Sequence, residues 1–504
     1  MTSFLSMASF LLFFRQVNFG GINLGAERWL DQKLDHFSKL EETFKQRYYV
    51  NRKYANKSKN LVVFIGGEST LLESQLRYDV QHIANETKSV MLALEHRYFG
   101  ESIPRGNLEL ENLKYLSVDQ AIEDLASFIT QMKPLYCLDP SNCKALMIGG
   151  SYPGSLSSWF RQKHPELTLG SWASSAPIHS QVNFSEYDKH EAENYKEFGC
   201  YDNALKAYKT IERITLLKNE KTEEMMEKFG VPKSAHFVDK SVDFLAMFAD
   251  VYSYGNQYKS YNYYLLMMCD KFKKIDMSND DEVIDTLAET SNYIIGKENF
   301  FSMNIEFLKN TSIYSEAKSS RSWMYMTCNE LGWFSSASGL LRSNLLTVET
   351  SLDSCKELFG ISKFPDTDKF NKKYGGYNPK VTKVVYTNSH FDPWSELTMK
   401  ENYSRKSIIQ FNIKDGFHCD DMRDPSEEDS ESQKSVRDET INQLLIWMNE
   451  VEVPLPTWFW VVVVCLIVII VALVVVIVII CKKDKEFDER QQSLLSMGEN
   501  KTYT

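Results

Sequence analysis

KALMIGGSYPGSLSSWFRQKHPE, residues 144–166, reads as a strand, a sharp turn and a helix. The apolar run 144–148 leads into Gly149-Gly150-Ser151-Tyr152-Pro153-Gly154, and a helical stretch follows from Ser155 to Glu166. A strand-turn-helix of this kind can hold a nucleophilic Ser in a strained conformation, provided that its neighbours are small. Gly149 meets that need two residues before Ser151, whereas Pro153 stands where a second Gly is usual. Pro153 leaves the backbone N–H of Tyr152 free to stabilise an oxyanion, and Pro is favoured at a first helical position. Taken alone, these residues also allow a plain Gly/Ser turn with no chemistry.

Working outward, short apolar runs recur at 61–67, 89–95, 169–176, 382–388 and 407–413. Near-continuous apolar runs suit parallel strands buried on both faces. Between two of them, residues 119–132 place Ile122, Leu125, Phe128, Ile129 and Met132 on one helical face, and Ser117 with Gln120 forms a capping-box signal. Alternating strand and helix implies an α/β fold with a doubly wound parallel sheet. From about 190 to 345 helical patterns dominate, for example 204–228 and 282–296. The Tyr-rich segment Tyr252–Tyr264 is read as helical packing rather than as a substrate platform. The Ser/Glu/Asp-rich stretch 424–438 reads as an exposed loop before a last helix, 438–449.

A nucleophilic Ser needs a base and an acid to orient it. His418, in Asp415-Gly416-Phe417-His418-Cys419, follows the run 407–413. Asp392 follows the run 382–388, and Pro393 biases it toward an extended backbone. The chain order Ser151, Asp392, His418 fits a hydrolytic triad of the strand-turn-helix type. His390 precedes the acid and breaks that order. Asp420 and Asp421 are competing acids, but they adjoin His418 in sequence. Gly67, in Gly66-Gly67-Glu68, ends an early strand where a second oxyanion N–H usually arises, with a simple tight turn as the alternative, and Tyr152 is expected to supply the first. Cys419 as a thiol nucleophile lacks a separate activating group.

Ordinary globular composition, 43% apolar and 25% charged, excludes a disordered chain or a coiled coil. The net charge of −11 carries no basic footprint for nucleic acid. Mean hydropathy of −0.35 conceals an uncharged apolar stretch at 457–481, long enough to cross a ~30 Å hydrocarbon core. Trp458 and Trp460 suit one interface, and Lys482, Lys483 and Lys485 follow on the other side, which orients the tail 482–504 to the cytoplasm. Residues 1–20 are expected to be a signal peptide, and the sequons at Asn56, Asn85, Asn183, Asn310 and Asn402 fit a glycosylated ectodomain. Seven cysteines precede the span. The expected pairs are Cys137–Cys143, Cys200–Cys269 and Cys328–Cys355, one of several connectivities open to six cysteines, with Cys419 left free. No zinc spacing, metal site or cofactor motif is expected.

Ordered blocks across the chain resemble the serine carboxypeptidase family of lysosomal Pro-X carboxypeptidase and dipeptidyl peptidase II, especially its thymus-specific serine protease branch. The blocks are Gln32-Lys33-Leu34-Asp35-His36-Phe37, Gly66-Gly67-Glu68, Glu95-His96-Arg97-Tyr98-Phe99-Gly100-Glu101-Ser102 and Gly149-Gly150-Ser151-Tyr152. They continue with Ser174-Ser175-Ala176-Pro177, Cys328-Asn329-Glu330, Gly332-Trp333-Phe334, Asp392-Pro393-Trp394 and His418-Cys419. Ser389 departs from the Gly usual there. The resemblance implies an α/β-hydrolase fold with an inserted helical cap, a Ser151–Asp392–His418 triad and cleavage beside proline in short peptides. The expected layout is hydrolase core over 28–185 and 351–450, cap over 186–350, transmembrane helix over 457–481 and cytoplasmic tail over 482–504. That describes a single-pass type I membrane protein with its catalytic part outside or in a lumen, and a homodimer is left open. Carboxypeptidase and dipeptidyl peptidase action both remain open. The competing readings are a catalytically inactive receptor or adhesion ectodomain and an esterase or lipase.

Overall fold

The computed structural model describes residues 25–76, 78–258, 264–301, 304–315, 317–400, 407–450 and 457–499. The expected signal peptide and Asn402 lie outside the described residues. The chain divides into two units, 1–449 and 450–504.

Among the described residues of the first unit, ten strands run in chain order. They are β1 (Ala26–Lys33), β2 (Thr43–Asn51), β3 (Leu61–Ile65), β4 (Val90–Leu94), β5 (Ala145–Gly150), β6 (Thr168–Ser174), β7 (Gln181–Asn183), β8 (Gly332–Phe334), β9 (Val384–Ser389) and β10 (Ile408–Ile413). Eight form one sheet in the order β1-β2-β4-β3-β5-β6-β9-β10, while β7 and β8 pair separately. From β4 to β10 every pairing in the large sheet is parallel. The two strands at the other edge, β1 and β2, pair antiparallel. This edge departs from the all-parallel sheet expected from sequence. A polar, exposed outer strand does not produce the continuous apolar run that marks the central ones. The strand order with its antiparallel start is that of an α/β-hydrolase core.

Along β3 the side chains split between two cores. Leu61, Val63 and Ile65 pack with helices Val118–Tyr136 and Tyr152–Lys163. Val62 and Phe64 pack on the opposite face with helices Asp79–Thr87 and Glu431–Asn449. The period of two in a strand places alternate residues on opposite faces, so both faces are covered. Ser117 caps helix Val118–Tyr136 by accepting from Gln120 N–H at 3.2 Å. The Gln120 side chain does not close the box. It bonds Asp35 and the His36 N–H instead.

Between β6 and β9 lies a mainly helical region whose core is continuous with the first of these two cores. Its pattern at 204–228 resolves into two helices, Tyr201–Leu217 and Glu220–Lys228, broken at Lys218 in the left-handed conformation. Tyr252 is fully buried, with its hydroxyl donating to the Ala204 carbonyl at 3.0 Å. The last helix of the unit starts at Glu431, inside the stretch read as loop. Its Arg437 turns inward to Asp429 at 2.8 Å, so an Arg within a polar run marks a buried helix face.

Two sequence blocks from the amino-terminal half meet in a buried charge cluster. Arg97 grips Asp124 through two bonds of 2.6 Å, and His36 Nε2 lies 2.8 Å from the same carboxylate. Glu95 takes Arg47 at 2.5 Å and Ser102 Oγ at 2.7 Å. Fully buried charges persist only when partnered in this way.

The second unit is one helix, Thr457–Glu499, with the apolar side chains from Val464 to Ile480 exposed. The helix continues past the apolar stretch, through the segment expected to be a separate tail.

Candidate active site

β5 ends at Gly150 and helix Tyr152–Lys163 begins one residue after Ser151, which adopts φ 61°, ψ −136°. A non-glycine residue with positive φ is held there by its surroundings. The Ser151 N–H donates to the Ser174 carbonyl at 2.8 Å, and its own carbonyl accepts from Ser155 N–H at 3.1 Å. A Cβ on Gly149 would lie 2.8 Å from Gly154 N and closer still to the Pro153 carbonyl, so only glycine permits this turn. Pro153 occupies the first turn of the helix, where no N–H is missed.

Asp392 follows β9 with an extended backbone, φ −83°, ψ 110°, as its place before Pro393 dictates. Its Oδ1 accepts from Trp394 N–H at 2.9 Å. Its Oδ2 lies 2.8 Å from His418 Nδ1, and both side chains are almost fully buried. Against a carboxylate, Nδ1 keeps its proton, so Nε2 is the nitrogen that gains or loses the other one. Nε2 is buried and without a protein partner among the described residues. Burial by itself would lower the His418 pKa. The Asp392 carboxylate, with Cys419 contributing, outweighs it and holds the ring well above the ordinary imidazole value.

The two competing acids serve other bonds. Asp420 accepts from Phe417 N–H at 2.8 Å and pairs with Arg423 at 3.2 Å. Asp421 accepts from Ser174 Oγ at 2.5 Å, Trp172 Nε1 at 3.1 Å and Thr387 Oγ1. It thereby ties the His418 loop to the ends of β6 and β9. His390 turns away to Glu197, 2.9 Å from Nε2. The Cys419 N–H donates to Ser175 Oγ at 2.9 Å. A Cβ on Gly150 would come 3.0 Å from Cys419 Sγ, so the elbow and the histidine loop meet.

Gly67 also reaches the elbow. A Cβ on it would lie 2.8 Å from Pro153 Cδ and closer still to Cγ. Tyr152 is fixed from the side-chain end: its hydroxyl meets His96 Nε2 at 3.0 Å, while His96 Nδ1 meets the Arg97 carbonyl at 2.7 Å. Burial lowers the His96 pKa to about 4, so the ring is neutral and Nε2 accepts a hydrogen bond from the Tyr152 hydroxyl.

Three groups at the site are given no role there by the sequence reading. The Gln257 carbonyl accepts from His418 N–H at 3.0 Å, and the Tyr258 ring stands edge-on to His418, 6.2 Å between centroids. Both belong to the end of helix Ser241–Gln257 in the insert. A main-chain acceptor leaves no mark in sequence, and Tyr258 is one of many tyrosines there. The third is Glu68, buried next to Gly67, whose carboxyl is pushed up to about 7 by burial, against a smaller lowering by His418.

The structure closes disulfides Cys137–Cys143, Cys200–Cys269 and Cys328–Cys355, with Cys419 free. Asn56, Asn183 and Asn310 are exposed and Asn85 is half-buried. Among the described residues no group of three or more His, Cys, Asp or Glu is placed to hold a metal ion.

A family model described as serine carboxypeptidase S28 matches residues 32–440. A probable serine protease, EDA2, of Arabidopsis thaliana is 30% identical over 413 residues, covering 79% of this chain and 81% of its own. The thymus-specific serine protease of Mus musculus is 28% identical over 84% of this chain and 88% of its own. The lysosomal Pro-X carboxypeptidase of Homo sapiens is 23% identical over 84% of this chain and 88% of its own.

Proposed function

The chain belongs to the serine carboxypeptidase S28 family, and we propose that it is a membrane-anchored serine exopeptidase acting beside proline in short peptides, with Ser151, Asp392 and His418 as its triad. The observation that carries the triad is the buried Asp392–His418 pair at the ends of β9 and β10, beside the strained Ser151 turn.

In this reaction Ser151 Oγ attacks the scissile carbonyl carbon while His418 Nε2 takes its proton. Asp392 holds the tautomer and stabilises the imidazolium. The carbonyl oxygen becomes an oxyanion facing the N–H groups of Tyr152 and Gly67. As the tetrahedral intermediate collapses, Nε2–H protonates the leaving amine and an acyl-enzyme remains. Water, deprotonated by His418, then attacks the ester carbonyl and releases Ser151.

Three further parts of the reading have separate support. Proline preference rests on a relative named as a Pro-X carboxypeptidase. Restriction to short peptides rests on the helical insert, assigned to 186–350 between core segments 28–185 and 351–450, whose residues Gln257 and Tyr258 close over His418. Anchoring rests on the exposed apolar face of helix Thr457–Glu499 and the lysines that follow the uncharged run. This gives a type I orientation with the catalytic unit outside or in a lumen.

The test is labelling of the full-length protein with a fluorophosphonate probe, together with digestion of a peptide library. Wild type labels and trims peptide ends next to proline, and Ser151→Ala does neither. Full labelling of Ser151→Ala would overturn the nucleophile assignment, and turnover of acyl esters without peptides would replace the peptidase reading with an esterase.

A further inference from the structure

Helix Glu186–Glu197 of the insert grips the loop that carries Asp392 from one side. His190 Nδ1 lies 3.1 Å from Glu396 Oε1, and its Nε2 lies 2.9 Å from the His390 carbonyl. Asn194 Nδ2 donates to the Phe391 carbonyl at 2.9 Å. Glu197 meets His390 Nε2 at 2.9 Å. The gripped residues, 390, 391 and 396, straddle Asp392.

The two links through His190 have a chemical requirement. A carboxylate and a carbonyl can only accept, and a neutral imidazole has a single N–H. Both links form together only when His190 is the imidazolium. The groups around it favour that state. Burial opposes the charge, but Glu396, the His390 carbonyl and Asp392 outweigh burial and raise the His190 pKa. His190, then burial in the opposite direction, then Lys400 act on Glu396, whose carboxyl is held below its usual range and so stays ionised. Lys400 Nζ lies 3.6 Å from the other Glu396 oxygen. The His390–Glu197 pair that also joins these elements is about half exposed, while on the same helix Glu191 pairs with Arg342 and Glu193 with Lys196.

We propose that His190, as the imidazolium, is a positioning residue for Asp392: it ties the insert to the 390–396 loop and so fixes the carboxylate against His418. This rests on the reading of Asp392 and His418 as the acid–base pair. When His190 loses its proton, one ring nitrogen turns a lone pair toward an acceptor oxygen. One link is then lost and the loop loosens. Alignment of Asp392 is thereby favoured on the acid side of the His190 titration, as in an acidified compartment.

The test compares full-length wild type with His190→Gln and Glu396→Gln, measuring kcat/KM on a proline-containing peptide across pH. All three proteins keep His418, but its titration depends on Asp392, so it is followed separately in each by imidazole NMR in the Ser151→Ala background and divided out of the ratio of wild type to variant. That ratio is expected to be on the order of tenfold on the acid side, from misplacement of the triad by a fraction of an ångström, and to fall toward one at higher pH. A ratio independent of pH overturns the proposal. Hydrogen exchange of segment 389–397, corrected for intrinsic rates and measured in Ser151→Ala protein, reads the tie without catalysis. Protection that declines with rising pH in the His190 protein, and is low throughout with His190→Gln, supports it. Equal protection in both overturns it. A pH-dependent tie in a protein that hydrolyses no peptide would leave the tie standing and sink the functional reading instead.

Discussion

Replacing Gly67 with Ala tests the oxyanion arrangement directly. The added Cβ would stand 2.8 Å from Pro153 Cδ and closer to Cγ, whereas non-bonded carbons settle at about 3.5–4.0 Å. Either the Gly67 loop or the start of helix Tyr152–Lys163 must therefore shift by about 1 Å. Pro153 cannot swing aside as a flexible side chain would, because its ring is closed onto the backbone. Both elements that would have to move carry a proposed oxyanion donor, so on this reading the two N–H groups lose their common focus. Loss of one such donor costs about 10²–10³ in kcat, roughly 3–4 kcal/mol. Overpacking costs about 1–3 kcal/mol of stability, which a domain of ordinary stability survives, so Gly67→Ala should fold with a lower Tm and bind substrate. The assay is kcat and KM on a chromogenic prolyl substrate, alongside thermal unfolding. The double variant Gly67→Ala/Pro153→Gly removes the ring that clashes and should recover at least tenfold of the lost kcat, a coupling expected only between residues in contact. Wild-type kcat in Gly67→Ala, or a double variant no better than the single one, would refute the placement of Gly67 at the oxyanion.

Other perturbations separate the site from its supports. Asp392→Asn leaves His418 buried with the wrong tautomer and should lower kcat by roughly 10³–10⁴. Because the folded His418 pKa is raised, the stability it contributes is present in full below the unfolded value and lost as pH climbs through the folded one. Urea unfolding should show this decline in wild type and not in Asp392→Asn. Glu68→Gln removes a carboxyl whose pKa is raised from 4.5 to about 7. Ionisation costs the folded wild type stability as pH rises across that window, so the variant should gain on the order of 3 kcal/mol above it, read by denaturation at pH 4 and 8. Arg97→Met strands the buried Asp124 carboxylate and should cost about 3–5 kcal/mol in urea unfolding, most of it recovered in Arg97→Met/Asp124→Leu. A single variant within 1 kcal/mol of wild type would contradict the burial of that pair.

Several parts of this protein are set by local chemistry alone and are legible in its sequence. The central strands announce themselves because burial on both faces demands continuous apolar runs, and β3 to β6, β9 and β10 lie within a residue or two of those runs. The Ser151 turn is legible because a positive-φ serine needs small neighbours, and Asp392 takes its extended backbone from Pro393. The uncharged run before Lys482 sets its own helix.

Tertiary structure decides the rest, because it depends on residues far apart in the chain. The antiparallel edge β1–β2 has no continuous apolar run, and the helix from Glu431 hides its inward Arg437 in a charged stretch. Chain order favours Asp392 as the acid for His418, but only the fold brings the two together. Asp420 and Asp421 are its near neighbours, yet Asp392, 26 residues earlier, makes the bond because β9 and β10 run in parallel and present their carboxyl ends together. The insert's hold on the site is invisible in sequence, since a Gln257 carbonyl and the faces of His190 and Tyr258 acquire meaning only when helices Glu186–Glu197 and Ser241–Gln257 fold back onto the histidine and aspartate loops. Backbone conformation follows from neighbours in sequence. Proton position follows from neighbours in space, and those only the packed fold supplies.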